Sequence, residues 1–173
     1  MKSLKTLRLT VPIGLAALLL AITGSMSTAS ATTTRWVYQN VYEGNCLTYS
    51  DTTSNVWSGP CSGSTVAWYW GDSLTDPRSG LTYRQLKTWY RNDERCLTTD
   101  FKTSTNAVWT SPCDAIFNNS GQLWRGDNNE LSVNAGLWEN SLRTSANGDA
   151  VYSAPWGQSG IELDRWEWNG THN

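Results

Sequence analysis

Residues 46–61 read CLTYSDTTSNVWSGPC, and residues 96–113 read CLTTDFKTSTNAVWTSPC. Both spell Cys-Leu-Thr, a polar run, Val-Trp, two small residues and Pro-Cys. A third copy, SLRTSANGDAVYSAPW at 141–156, keeps the outline with Ser141 and Trp156 where the cysteines stand. Self-similarity at a near-constant period decides the fold class, because each copy is one supersecondary unit too small to bury its own apolar side.

The repetition runs on past the second cysteine. WYWGD (68–72), QLWRGD (122–127) and WEWNG (166–170) follow the three copies, which places Trp70, Trp124 and Trp168 in register. Upstream, WVYQNVYEGNCL and YRQLKTWYRNDERCL lead through aromatic-rich runs into a polar turn, and ELSVNAGLWENSL does so for the third copy. The units occupy about 35–80, 81–127 and 128–170. Within each, short runs of Val, Leu, Thr, Trp and Tyr alternate with Gly, Asn, Asp and Ser clusters, a β grammar. Leu47, Leu97 and Leu142, with Val56, Val108 and Val151 and the three register tryptophans, supply three apolar anchors per unit. Three units around a pseudo-threefold axis can share one core.

The first 31 residues have the layout of a secretory signal peptide: Lys2, Lys5 and Arg8, the apolar VPIGLAALLLAI, and Ala29-Ser30-Ala31 as a cleavage site. The apolar stretch is too short for a standing membrane span. Residues 32–173 then form one exported domain, an extracellular one. With the leader's three cations gone, 10 Lys+Arg face 15 Asp+Glu. An acidic surface with scattered cations argues against nucleic acid, which needs a clustered basic face, and against anionic lipid.

Four cysteines allow three pairings. The repeat selects Cys46–Cys61 and Cys96–Cys113, each closing a loop of about 15–18 residues worth about 3 kcal/mol in the chain-entropy model. No Cys-x2-Cys pair exists for zinc, and an oxidising destination favours bridges. No metal or other cofactor is expected. His172 is the only histidine, one residue from the end, which leaves nucleophilic triads without a placed base; no enzymatic activity is expected. RGD at 125–127 reads as turn chemistry, since Gly-Asp recurs at 71–72.

Cys-Leu, Val-x-x-x-Pro-Cys and Gln-x-Trp, three times over, resemble the ricin-type β-trefoil lectins across 35–170. The full Gln-x-Trp stands only at Gln122-Leu123-Trp124. The resemblance implies an all-β β-trefoil in which each Cys-Leu begins a strand and Val-Trp returns antiparallel to it. One bridge pins each of the first two lobes, and Trp156 fills the gap in the third. It also implies carbohydrate binding, but the residues of the usual galactose pocket are replaced. Where members place an Asp two residues after the first Cys stand Thr48, Thr98 and Arg143. Where they place a stacking aromatic stand Gly59, Ser111 and Ala154, and the Asn before Gln-x-Trp is Gly121.

Candidate contacts therefore move to Trp57, Trp109 and Tyr152, each following a core Val so that strand alternation turns it away from the axis. Asp51, Asp100 and Asp149 are the carboxylates taken to stand beside them, and Gln122 joins the candidate contacts, its alternative role being to order its loop. The expectation is a secreted, non-enzymatic, lectin-like module for a glycan or glycoconjugate. Two rival readings are a subunit that docks on a secreted protein partner and a protease inhibitor presenting Arg78 from the long insertion 71–83.

Overall fold

A computed structural model of the protein describes residues 33–116, 118, 120–127, 129–134, 139–146 and 149–173. The expected leader at 1–31 and Trp138 lie outside them. The described chain is all β: twelve strands and three short 3-10 turns. The strands are β1 (Trp36–Asn40), β2 (Cys46–Tyr49), β3 (Val56–Gly59), β4 (Tyr69–Thr75), β5 (Thr82–Tyr90) and β6 (Asp93–Thr99). After them come β7 (Asn106–Pro112), β8 (Leu123–Asp127), β9 (Glu130–Asn134), β10 (Glu139–Thr144), β11 (Val151–Pro155) and β12 (Trp168–His172).

The quoted repeats become three antiparallel hairpins, β2–β3, β6–β7 and β10–β11, with one register. Leu47 faces Ser58, Leu97 faces Thr110 and Leu142 faces Ser153. One residue on, Thr48 faces Trp57, Thr98 faces Trp109 and Arg143 faces Tyr152. Because side chains alternate with period two, this sends each Leu and Val to the core and the next residue outward. Disulfides join Cys46 to Cys61 and Cys96 to Cys113, as the repeat requires. In the third hairpin the bridge is replaced by small buried side chains, Ser141 and Ala154. Trp156 does not fill that gap; it is half exposed, past the end of β11.

The hairpins also pair with one another. Tyr152 faces Ala107, Trp109 faces Asn55 and Trp57 faces Ala150, so each hairpin offers its outward aromatic position to the next. Below this triangle the remaining strands run round a ring. β1 pairs β12, Trp36 bridges to Trp68 just ahead of β4, and β4–β5, β5–β8 and β8–β9 follow. The Trp168 N–H donates to Asn129 O (2.6 Å), tying β12 to the entry of β9.

The leucines and valines of all three repeats sit in one buried cluster with Trp68, Trp124 and Trp168. Each of these indoles donates Nε1–H to the carbonyl of a repeat leucine: Trp68 to Leu47 (2.8 Å), Trp124 to Leu97 (2.7 Å) and Trp168 to Leu142 (3.0 Å). The register expected for the first unit is thus corrected by two residues: its core tryptophan is Trp68, not Trp70. Trp70 is only half-buried at the edge of the cluster. The approach to the core indole is shorter in the first unit, 7 residues from Cys61 to Trp68 against 11 from Cys113 to Trp124, and beyond Trp70 a bulge sets Gly71 and Asp72 opposite the single residue Gln85.

Candidate functional site

The corrected register aligns Val66, Gln122 and Trp166, each two residues before a core tryptophan. Together with the residues at the Thr48 and Gly59 positions they define one place per hairpin where a pocket could open. All three are occupied by the protein's own side chains. In the first hairpin the Trp57 indole leans across Gly59: a Cβ there would lie 2.6 Å from Trp57 Nε1 and 3.0 Å from Thr48 Oγ1. The glycine is required by that close approach, since any side chain would displace the ring.

In the second hairpin Gln122 is buried and fully engaged. Its Nε2 donates to Ser111 Oγ (2.8 Å), Pro112 O (2.9 Å) and Thr98 Oγ1 (3.2 Å), and its Oε1 accepts from Asp114 N (2.9 Å). Thr98 Oγ1 also lies 2.8 Å from Ser111 Oγ and donates to Cys96 O. A buried network in which both ends of the amide are bonded holds its loop. These bonds tie Gln122 to its own loop.

The third hairpin differs. The Arg143 guanidinium is buried between two rings, its Cζ 5.3 Å from the Tyr152 centroid and 5.6 Å from that of Trp166. Nη1 donates to Thr144 O, whereas Arg143 Nε and Trp166 Nε1 are buried without a partner among the described residues. Burial pushes the Arg143 pKa below the ordinary arginine range. Trp166 is itself fully buried, so it adds no exposed aromatic surface.

Trp57, Trp109 and Tyr152 are each half-buried, and each sits at a seam where two hairpins pair. The expected carboxylates are distributed otherwise than expected. Among the described residues no hydrogen bond links Asp51, Asp100 or Asp149 to the aromatic of its own unit. Asp51 is exposed in its loop. Asp100 pairs with Lys102 Nζ (3.0 Å), whose hydrogen bond holds the carboxyl below its ordinary pKa. Asp149 belongs to the seam of the first hairpin: its carbonyl accepts Ser58 N–H (2.9 Å), beside the Trp57–Ala150 pairing. Such a cross-hairpin neighbour is invisible to any reading confined to one repeat.

Two further motifs are resolved. Arg125 of the RGD triplet is folded back on Asp127 (2.6 Å) and also grips Glu139 (2.8 Å), so the triplet is a strand segment with its charges paired. The Arg78 guanidinium is held by Asp76 through Nε (3.2 Å) and Nη2 (3.0 Å) in a turn whose backbone closes from Asp76 to Leu81. The Arg78 side chain is 59% exposed while its guanidinium is anchored to its own loop. The sequence alone does not bring Trp36 and Trp70 together, and it puts Trp70 in the core; both are half-buried at the mouth of the strand ring.

Among the described residues, no group of His, Cys, Asp or Glu is placed to hold a metal ion, and no helix is long and apolar enough to cross a membrane.

No family model matches the sequence, and no curated protein matches it. Solved structures do. The designed threefold-symmetric protein ThreeFoil superposes with a TM-score of 0.55 at 16% identity, covering 79% of this chain and 97% of its own. A salivary protein from Culex quiquefasciatus, of the Cysteine and Tryptophan-Rich family, gives 0.52 at 17% identity, over 84% and 98%. The earthworm lectin C-terminal domain, a mutant in complex with 6'-sialyllactose, gives 0.49 at 14% identity, over 82% and 99%. At these identities the likeness to the first two is one of fold alone, and the chain is all β like the designed trefoil.

Proposed function

We propose that the protein is a secreted, non-catalytic β-trefoil module of three pseudo-equivalent lobes that binds a glycan or glycoconjugate through the hairpin seams. One observation supports it above others: Trp57, Trp109 and Tyr152 occupy the same register in three hairpins, each partly open to solvent and held by a backbone pairing to the next hairpin. A ring clamped this way loses little freedom when the apolar face of a pyranose stacks on it. The usual galactose geometry is absent, so each seam alone is a weak contact. Three seams on one rigid body let a multivalent glycan surface add avidity.

The test is a glycan array probed with the mature protein and with Trp57→Ala, Trp109→Ala and Tyr152→Ala, singly and combined. The expected result is retained but weaker binding for each single variant, and loss in the triple variant with its circular dichroism unchanged. No binding by the wild type, or full binding by the folded triple variant, overturns the seam as the site. A protein-docking role is the second reading, supported by the exposed Trp156, Trp89 and Leu163.

A further inference from the structure

At the mouth of the strand ring lies a cavity of about 420 Å³. That is within the range of roughly 300–1,000 Å³ common for small-molecule sites. Its apolar wall is indole: Trp36 and Trp70 reach it half-buried, with the ring of Trp124 behind them. These rings are held, not loose. Trp36 stacks on Tyr38 (6.1 Å, 11°), and Tyr38 meets Trp70 edge-on (6.3 Å, 82°).

Two glycines make room for them. A Cβ on Gly126 would lie 2.8 Å from Trp70 Cζ2, and one on Gly170 would lie 2.9 Å from Tyr38 Cε1 and 3.4 Å from Trp36 Cε3. Neither glycine has a positive φ, so turn geometry does not demand them; the aromatic shelf above them does. The opposite wall is the end of the long insertion, Leu81 and Thr82. It is kept in place by the Asp76–Leu81 backbone closure.

The rim carries both kinds of hydrogen-bonding group. Arg84, on β5, is exposed and has no acidic partner among the described residues. Asp127 accepts from Arg125 through Oδ2 only, and its carboxylate is about half exposed. A rigid apolar shelf bordered by a donor and an acceptor matches a ring with one apolar face and a hydroxylated edge.

From this geometry we infer that the ring mouth is a second binding site, for a single saccharide residue. Its apolar face lies on Trp36 and Trp70, a hydroxyl or carboxylate accepts from Arg84, and a hydroxyl donates to Asp127. The site is at the barrel strands, apart from the hairpin seams, and does not rest on their role.

The experiment uses the mature protein with isotope-labelled indoles. It follows the Trp36 and Trp70 Nε1–H resonances against methyl glycosides of glucose, galactose, mannose, N-acetylglucosamine and glucuronic acid. At least one glycoside is expected to shift both resonances saturably. Arg84→Ala should weaken that binding at least tenfold, and Thr82→Trp, which plugs the cavity from an exposed strand position, should abolish it. The Trp57→Ala/Trp109→Ala/Tyr152→Ala protein should keep it unchanged, which separates this site from the seams. If no glycoside moves these two resonances, or if the shift survives the plug, the inference is overturned.

Discussion

An indole N–H carried into an apolar core needs an acceptor there, and Trp68, Trp124 and Trp168 each find one on a repeat leucine. Replacing any of them by Phe removes that bond and leaves a void; about 2–4 kcal/mol should be lost at each. Trp70→Phe should cost less than half as much, because the ring is half-buried and donates to no core carbonyl. Urea unfolding of the four variants checks this ranking, and equal costs would return Trp70 to the core. The repeat leucines and valines were readable from sequence because each leucine directly follows the first cysteine or its substitute and each valine stands 5 residues before the second or its substitute. Trp70 was misread because it stands 9 residues past Cys61, nearer than Trp68 at 7 to the 11 and 12 residues that separate Trp124 from Cys113 and Trp168 from Trp156. Arg143 looked like a lost ligand position, and only packing shows it stacked between Tyr152 and Trp166.

At the scale of elements, the hairpins were legible because two cysteines and a Val-Trp return mark both strands. Their mutual pairing was not, since it joins residues such as Trp57 and Ala150 that are remote in sequence. The same limit misplaced Asp149, which serves a neighbouring hairpin. The insertion 71–83 was visible as extra length, but its form depends on one carboxylate. Asp76 accepts from the Arg78 amide (2.9 Å) and guanidinium, and the hydrogen bond from the Arg78 side chain is the main cause of its depressed pKa. A depressed folded-state value means that the folded turn binds protons less readily than the unfolded chain. Its contribution is therefore complete above the unfolded aspartate value of about 4 and is lost as pH falls through the lower folded value. The Arg78 amide resonance should move in that acidic window, and Asp76→Asn should remove the step. A titration identical in the two proteins would dissociate Asp76 from the turn.

For the molecule as a whole, closure matters more than any one hairpin: a triangle of hairpins above and a ring of strands below share one core. Arg165 stitches distant parts of it together. It pairs with buried Glu43 (2.8 Å), donates to Ser145 O (2.6 Å) and lies 3.8 Å over the Tyr42 ring. The class of fold followed from repetition and cysteine spacing, whereas the ring-mouth cavity is lined by residues as far apart as Trp36 and Asp127, from the first two units, and has no local signature. β1 lies antiparallel against β12 from Trp36–His172 to Asn40–Trp168, and Arg35 N–H donates to the Asn173 side chain (3.0 Å). The two extremities of the domain are therefore neighbours. Joining them by a few glycines and serines, and reopening the polypeptide in the exposed 51–54 stretch, should yield a cyclically reordered protein with native near-ultraviolet dichroism. Any appended partner would emerge beside Trp36 and Gly170, so a bulky tag at either extremity should screen the indole shelf while leaving the opposite, triangular face open.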